Sequence, residues 1–237
     1  MSRIELGDLT IDVVQKDIKN IHLSVYPPIG KVRIAAPTRL DLENIRVFAI
    51  SKLGWIRKQQ AKITSQEREP KREYKTRESH YYLGKRYLLN VIENKNKQSV
   101  IVKHEKLVLN VKQNATINQK KNILHEWYRE RLKEIIPKLI DKWERRINVN
   151  VSEFKIRKMK TKWGTCNTVA KRICINLELA RKPIICIEYI VVHEIVHLLE
   201  RKHNERFIAY MNKFMPNWRT YKDELNKLPI SHTEWKY

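Results

Sequence analysis

The segment Val192-His193-Glu194-Ile195-Val196-His197 holds the residue types in this chain best suited to chemistry. Two histidines four apart on a helix project from one face about one turn apart, so both imidazoles can meet on one metal ion. Glu194, next to the first of them, is rotated by roughly 100° and reaches the open side of such an ion. Metal-activated hydrolysis needs this arrangement: a cation lowers the pKa of its water to about 7, and a carboxylate takes the proton. With 8 His among 237 residues, chance supplies roughly 0.02 copies of His-Glu-x-x-His, so accident explains the pattern poorly. The bland alternative is an amphipathic core helix with two hydrogen-bonded histidines. It leaves His and Glu unexplained in so apolar a run.

A third ligand is needed. His203 follows His197 by six residues; on a continuous helix it would be rotated by about 240° net and point away. The helix is therefore expected to end near residues 199–201 so that His203 can swing back. The rival is a downstream carboxylate, Glu224.

The elements that must position these groups are legible as changes of period. Residues 4–6, 9–14, 21–25 and 32–35 alternate as short strands, and a helix opens at Asp41 with Ile45, Ala49, Leu53 and Ile56 on one side and Gly54 as its expected break. Residues 65–79 are polar and read as a solvated linker. Strands return at 80–83, 87–92, 100–104 and 107–111. From about residue 118 the period is helical, with Ile123, Trp127, Leu132, Ile135, Ile136 and Leu139 on one side. Residues 154–163 and 172–179 read as a hairpin, and Pro183 suits the first turn of the helix carrying the histidines. No internal repeat is evident. The expected fold class is α+β, a β-rich N-terminal half followed by an α+β half, divided as residues 1–114 and 115–237.

The chain carries 49 Lys+Arg against 26 Asp+Glu, a formal charge of +23. Residues 1–50 account for +1 of it, 51–90 for +7, 91–150 for +7 and 151–237 for +8, so the excess is not a tail. Such a surface attracts nucleic acid or nucleotides, or else reflects compositional bias. Lys158, Lys160 and Lys162 alternate just before Trp163, which on a strand would place three cations on one face. The most apolar stretch is interrupted by Glu188, His193, Glu194 and His197, which argues against a membrane span. Cys166, Cys174 and Cys186 are odd in number and lack CxxC spacing. Together with an N-terminus unlike a signal peptide, they suggest reduced thiols in a cytoplasm.

The run from Lys158 through Trp163-Gly164-Thr165-Cys166, then Ile175-Asn176-Leu177, then Val191 through His197 and His203, resembles the YgjP-like metallopeptidase family, whose relatives include SprT-like and WLM-type zinc proteases. Trp55-Ile56, the run from Tyr82 to Tyr87, Phe207 and Pro216 extend the resemblance over nearly the whole chain. Thr165 stands where the family usually has Ser, and Asn204 and Ile208 where it tends to Ser and Trp. The resemblance implies a zincin-like C-terminal half, with a β-hairpin packed on the His-Glu-x-x-His helix. It also implies one Zn2+ per chain on His193, His197 and His203, and peptide-bond hydrolysis with Glu194 as general base. Trp163, Cys166, Asn176, Lys160 and Lys162 are the weaker candidates for contacting a protein or peptide substrate. Two alternatives stay open. One is a metal-dependent nucleoside triphosphate pyrophosphatase, an activity attached to some YgjP-like proteins. The other is a DNA-associated protein with a structural metal.

Overall fold

The computed structural model describes residues 2–228 apart from 28, 66–69, 71 and 95–97. These residues form two compact units, one ending before and one beginning after residues 66–69. The expected division at 114/115 falls inside the second unit instead. Leu89, Leu107, Leu109 and Val111 of the strands before it share one apolar core with the helices after it. Among the described residues no helix is long and apolar enough to cross a membrane.

The first unit is a four-stranded sheet, β1 (Ser2–Leu6), β2 (Leu9–Lys16), β3 (His22–Tyr26) and β4 (Lys31–Pro37), in the order β1-β2-β4-β3. Helices α1 (Leu42–Ser51) and α2 (Leu53–Thr64) follow. Asp41 caps α1 by accepting from the Asn44 N–H at 2.7 Å. The break between the helices lies at Lys52, not at Gly54, which sits inside the first turn of α2. Ile11, Val13, Val32 and Ile34 of the sheet and Ile45, Ala49 and Ile56 of the helices make its core.

The second unit repeats this plan. Strands β5 (Ser79–Tyr82), β6 (Lys85–Glu93), β7 (Ser99–Lys103) and β8 (Lys106–Val111) stand in the order β5-β6-β8-β7, again with the two central strands parallel and the outer ones antiparallel, and again a helix follows. The Leu89↔Leu107 and Val91↔Leu109 pairs occupy the places of Ile11↔Val32 and Val13↔Ile34. So there is a repeat, of topology alone. What recurs is alternation and turn position, not side-chain identity, and self-similarity of sequence cannot show that.

Part of the expected linker, residues 66–69 and 71, lies outside the described residues. The rest is not merely solvated. Tyr74 is buried, and the Glu78 carboxylate accepts from the Glu73 and Tyr74 N–H groups at 2.8 Å each.

Helix α3 (Ile117–Ile147) starts with a capping box between Thr116 and Gln119 and ends at Asn148 in the left-handed conformation. Its buried stripe is Leu124, Tyr128, Leu132, Ile136, Ile140, Trp143 and Ile147. Ile123, Trp127 and Leu139 of the expected stripe are half-buried flanks. A second sheet of three strands has the order β10-β11-β9, from β9 (Glu153–Arg157), β10 (Gly164–Asn167) and β11 (Arg172–Asn176). The hairpin is thus β10–β11. Strand β9 stops at Arg157 and runs parallel to β11 on its other side, so residues 158–163 are a loop and not the end of a strand.

After a 3-10 turn (Leu177–Arg181) comes α4 (Ile184–Val196), then α5 (Glu205–Phe214) and α6 (Trp218–Lys227). Helix α4 is apolar nearly all round because it is enclosed: Cys186, Ile187, Val191, Val192, Ile195 and Val196 are all fully buried. Its one acid in the apolar N-terminal part, Glu188, accepts from Trp143 Nε1 at 2.9 Å and Lys142 Nζ at 2.6 Å and ties α4 to α3. The β5–β6 turn meets the start of α4. Leu83 N donates to Ala180 O at 2.9 Å and Gly84 N to Arg181 O at 3.2 Å. Gly84 has φ +82°, and a Cβ there would stand 2.7 Å from Pro183 Cγ. Gly84→Ala is therefore expected to destabilise the protein by about 1–3 kcal/mol, through both backbone strain and displacement of Pro183. Thermal unfolding measures it; an unchanged midpoint would show that the turn does not brace the helix.

Candidate metal centre

His193 and His197 sit one turn apart at the C-terminal end of α4. The helix ends at Val196, three residues sooner than expected, and the chain tightens through Leu198 N→Ile195 O and Leu199 N→Val196 O bonds of 2.9 Å. That turn carries His203 back. His203 Nε2 lies 3.0 Å from His193 Nε2, and ligand atoms of His193, His197 and His203 all lie within 4.8 Å of one another. Directly after His203, Asn204 starts α5 by accepting from the Phe207 N–H at 3.0 Å, the capping role a serine would also fill. Phe207, almost fully buried, then lies under all three imidazoles at ring distances of 5.0, 4.7 and 4.8 Å. Glu224 is neither among the residues lining the cleft nor part of the His193, His197 and His203 cluster.

The donor set fits a transition-metal ion. Nitrogens about 2.0–2.1 Å from a tetrahedral centre stand roughly 3.3 Å apart, close to the His193–His203 separation. His197 Nδ1 lies 3.0 Å from Glu200 O. With that nitrogen donating to the carbonyl, Nε2 is left as the ligand. Burial, and then the charges of His197, His203 and Lys222, push His193 down to about 3, so it stays neutral, as a ligand must.

Glu194 is 5% exposed and lies against the backbone of β10. A Cβ on Gly164 would stand 2.5 Å from Glu194 Oε1, so only glycine admits the carboxylate here. The His cluster and Glu194 open into a cleft of about 480 Å3 lined on one wall by Lys162, Trp163, Gly164, Thr165 and Cys166, and on others by Tyr189, Arg201, Lys222 and Asn226. Strand β10 is an edge of its sheet and presents that edge to the cleft.

Of the weaker candidates, Trp163, Cys166 and Lys162 line the cleft, and Lys160 does not. Asn176 is buried and does not line the cleft. Its Oδ1 accepts from Met159 N and Glu178 N, and its Nδ2 donates to Met159 O and Lys162 O, so the amide is fully used in holding the 158–163 loop and capping the 3-10 turn. Lys158 lies 3.6 Å from Glu178 and does not line the cleft. Arg201 and Lys222 were not singled out by the sequence, and Gly164 only as part of the run that carries the resemblance. Lys222 arrives from α6, which no short motif links to the helix of the histidines.

A match to the family described as YgjP-like, metallopeptidase domain spans residues 19–228. The chain belongs to that family. The YgjP-like match runs through both compact units and includes the three histidines and Glu194. No match is found among curated proteins.

Two outcomes follow from this geometry. His193→Ala or His197→Ala should abolish most metal uptake, His203→Ala should weaken it, and Glu224→Gln should leave it intact, as measured by elemental analysis after dialysis. The opposite order for His203 and Glu224 would move the third ligand. The second outcome concerns Glu194, whose carboxyl burial pushes up to about 8 from 4.5, with Lys162 pulling the other way. Folding then takes up a proton, so the stability it contributes is present at low pH and lost as pH rises towards 8. In chelator-stripped protein, Glu194→Gln should raise the thermal midpoint at about pH 8 and change it little near pH 5. An equal gap at both values would place Glu194 in contact with water.

Proposed function

We propose that this YgjP-like chain is a zinc-dependent peptidase that cleaves peptide bonds with Glu194 as general base. The observation supporting it is the convergence of His193, His197 and His203 beside Glu194, along the open edge of β10. A bound Zn2+ would polarise the scissile carbonyl and bring the pKa of a water at its open position to about 7. His193, His197 and His203 would hold the ion, with the Glu200 carbonyl fixing His197 and Phe207 packing against all three rings. An extended peptide adds to the edge of β10 by main-chain hydrogen bonds, which lays its backbone along the cleft. Glu194 accepts the proton of the attacking water and passes it to the leaving amine. The hydrophobic packing of its stem on Gly164 keeps the carboxylate in reach.

The donor set weighs on the alternatives. Nucleoside triphosphate hydrolysis commonly employs Mg2+, which takes oxygen ligands and keeps several waters, whereas three imidazoles suit zinc. A structural zinc usually has four protein ligands; here three cluster among the described residues. The three free thiols, Cys166, Cys174 and Cys186, agree with a reducing cytoplasm as the place of action.

Glu194→Gln should retain about one zinc per chain and lose roughly two to four orders of magnitude in peptide hydrolysis. Unchanged turnover on a casein-like substrate would remove Glu194 from the chemistry.

A further inference from the structure

Three cations line the metal cleft from three separate elements: Lys162 from the loop before β10, Arg201 from the turn after α4, and Lys222 from α6. All three side chains are exposed. Among the described residues lining the cleft, Glu194 is the one acid, and it is buried against Gly164. Some surface lysines have carboxylate partners, as in Lys155–Glu153 at 2.9 Å and Lys133–Glu130 at 2.8 Å. Glu200, next to Arg201, is turned to the Lys202 N–H at 3.0 Å. The cleft is thus a positive basin around the reacting position, and among the described residues its three cations form no ion pair.

We infer that this cleft selects peptide segments carrying Asp or Glu on the residues flanking the cleaved bond, their carboxylates meeting Lys162, Arg201 and Lys222. The inference rests on the peptidase reading and adds the substrate class to it. An extended chain on β10 projects alternate side chains to either side, so acidic residues before and after the bond can reach different walls. A peptide is favoured over nucleic acid because the cations ring a confined cleft beside a strand edge, and do not form a stripe spaced for successive phosphates.

The test uses the full chain carrying Glu194→Gln, loaded with zinc, and three labelled peptides that differ only in flanking Glu, Gln or Lys. Fluorescence anisotropy should show the Glu peptide bound about tenfold more tightly than the Gln peptide at low salt, with the gap closing at high salt. Changing Arg201→Glu and Lys222→Glu together should remove or invert that preference while the zinc content stays the same. Equal affinity for the Glu and Gln peptides, or a preference that survives both reversals, would overturn the inference. So would displacement of the Glu peptide by a single-stranded DNA of equal charge at a lower concentration. Cleavage by the unmutated protein separates the two readings. Equal cleavage of Glu and Gln peptides keeps the peptidase and overturns the acidic selection. Glu-selective binding with no cleavage of any peptide keeps the selection and removes the peptidase.

Discussion

A helix cannot present three histidines to one point when the third lies six residues after the second. Everything at this centre depends on α4 stopping at Val196. The stop is made without a glycine, by two short-range backbone bonds and by the His197–Glu200 contact, which fixes an imidazole and the turn together. Asn204 then begins a new helix at once, so the returning segment is anchored at both ends and His203 is held next to His193. Phe207 is the consequence: the first turn of α5 delivers an aromatic floor beneath the three rings.

The second constraint is lateral. Glu194 can be buried because β10 offers backbone, at Gly164, where any other residue would offer a side chain. The strand is kept there by the loop before it, and that loop is held by three hydrogen bonds of the Asn176 side chain. On the far side of α4, the Glu188 contact to α3 and the Gly84–Pro183 contact to the β5–β6 turn set the helix in place. The sheet that follows residue 78 is therefore part of the apparatus that carries the centre, which is why the unit boundary precedes it.

How much of this could be read from the chain alone follows from range. His193, Glu194 and His197 are related by one helical turn, so their spacing suffices. His203 needed only the inference that a helix must end, although the end came sooner than its polarity suggested. The α+β class, and most strands, followed from alternation. What failed was long-range or hidden in identity. The residues from 154 to 163 alternate throughout, yet Asn176, from another strand, pulls the second half into a loop. The buried stripe of α3 was misplaced because Leu124 and Tyr128 carry no stronger apolar signal than Ile123 and Trp127; the neighbours that choose between them lie far along the chain. Lys222 reaches the cleft through the packing of α6, and the doubled ββββ-helix plan shares register without sharing residues.

The proposed function has three imidazoles, and no sulfur, holding a zinc ion with one position left open beside Glu194. X-ray absorption at the zinc edge of the loaded protein reads this directly. The expected spectrum has about three imidazole nitrogens at about 2.0–2.1 Å and no thiolate contribution. A sulfur shell near about 2.3 Å, bringing Cys166 into the first coordination sphere, or only two imidazoles with His203 absent, would contradict it.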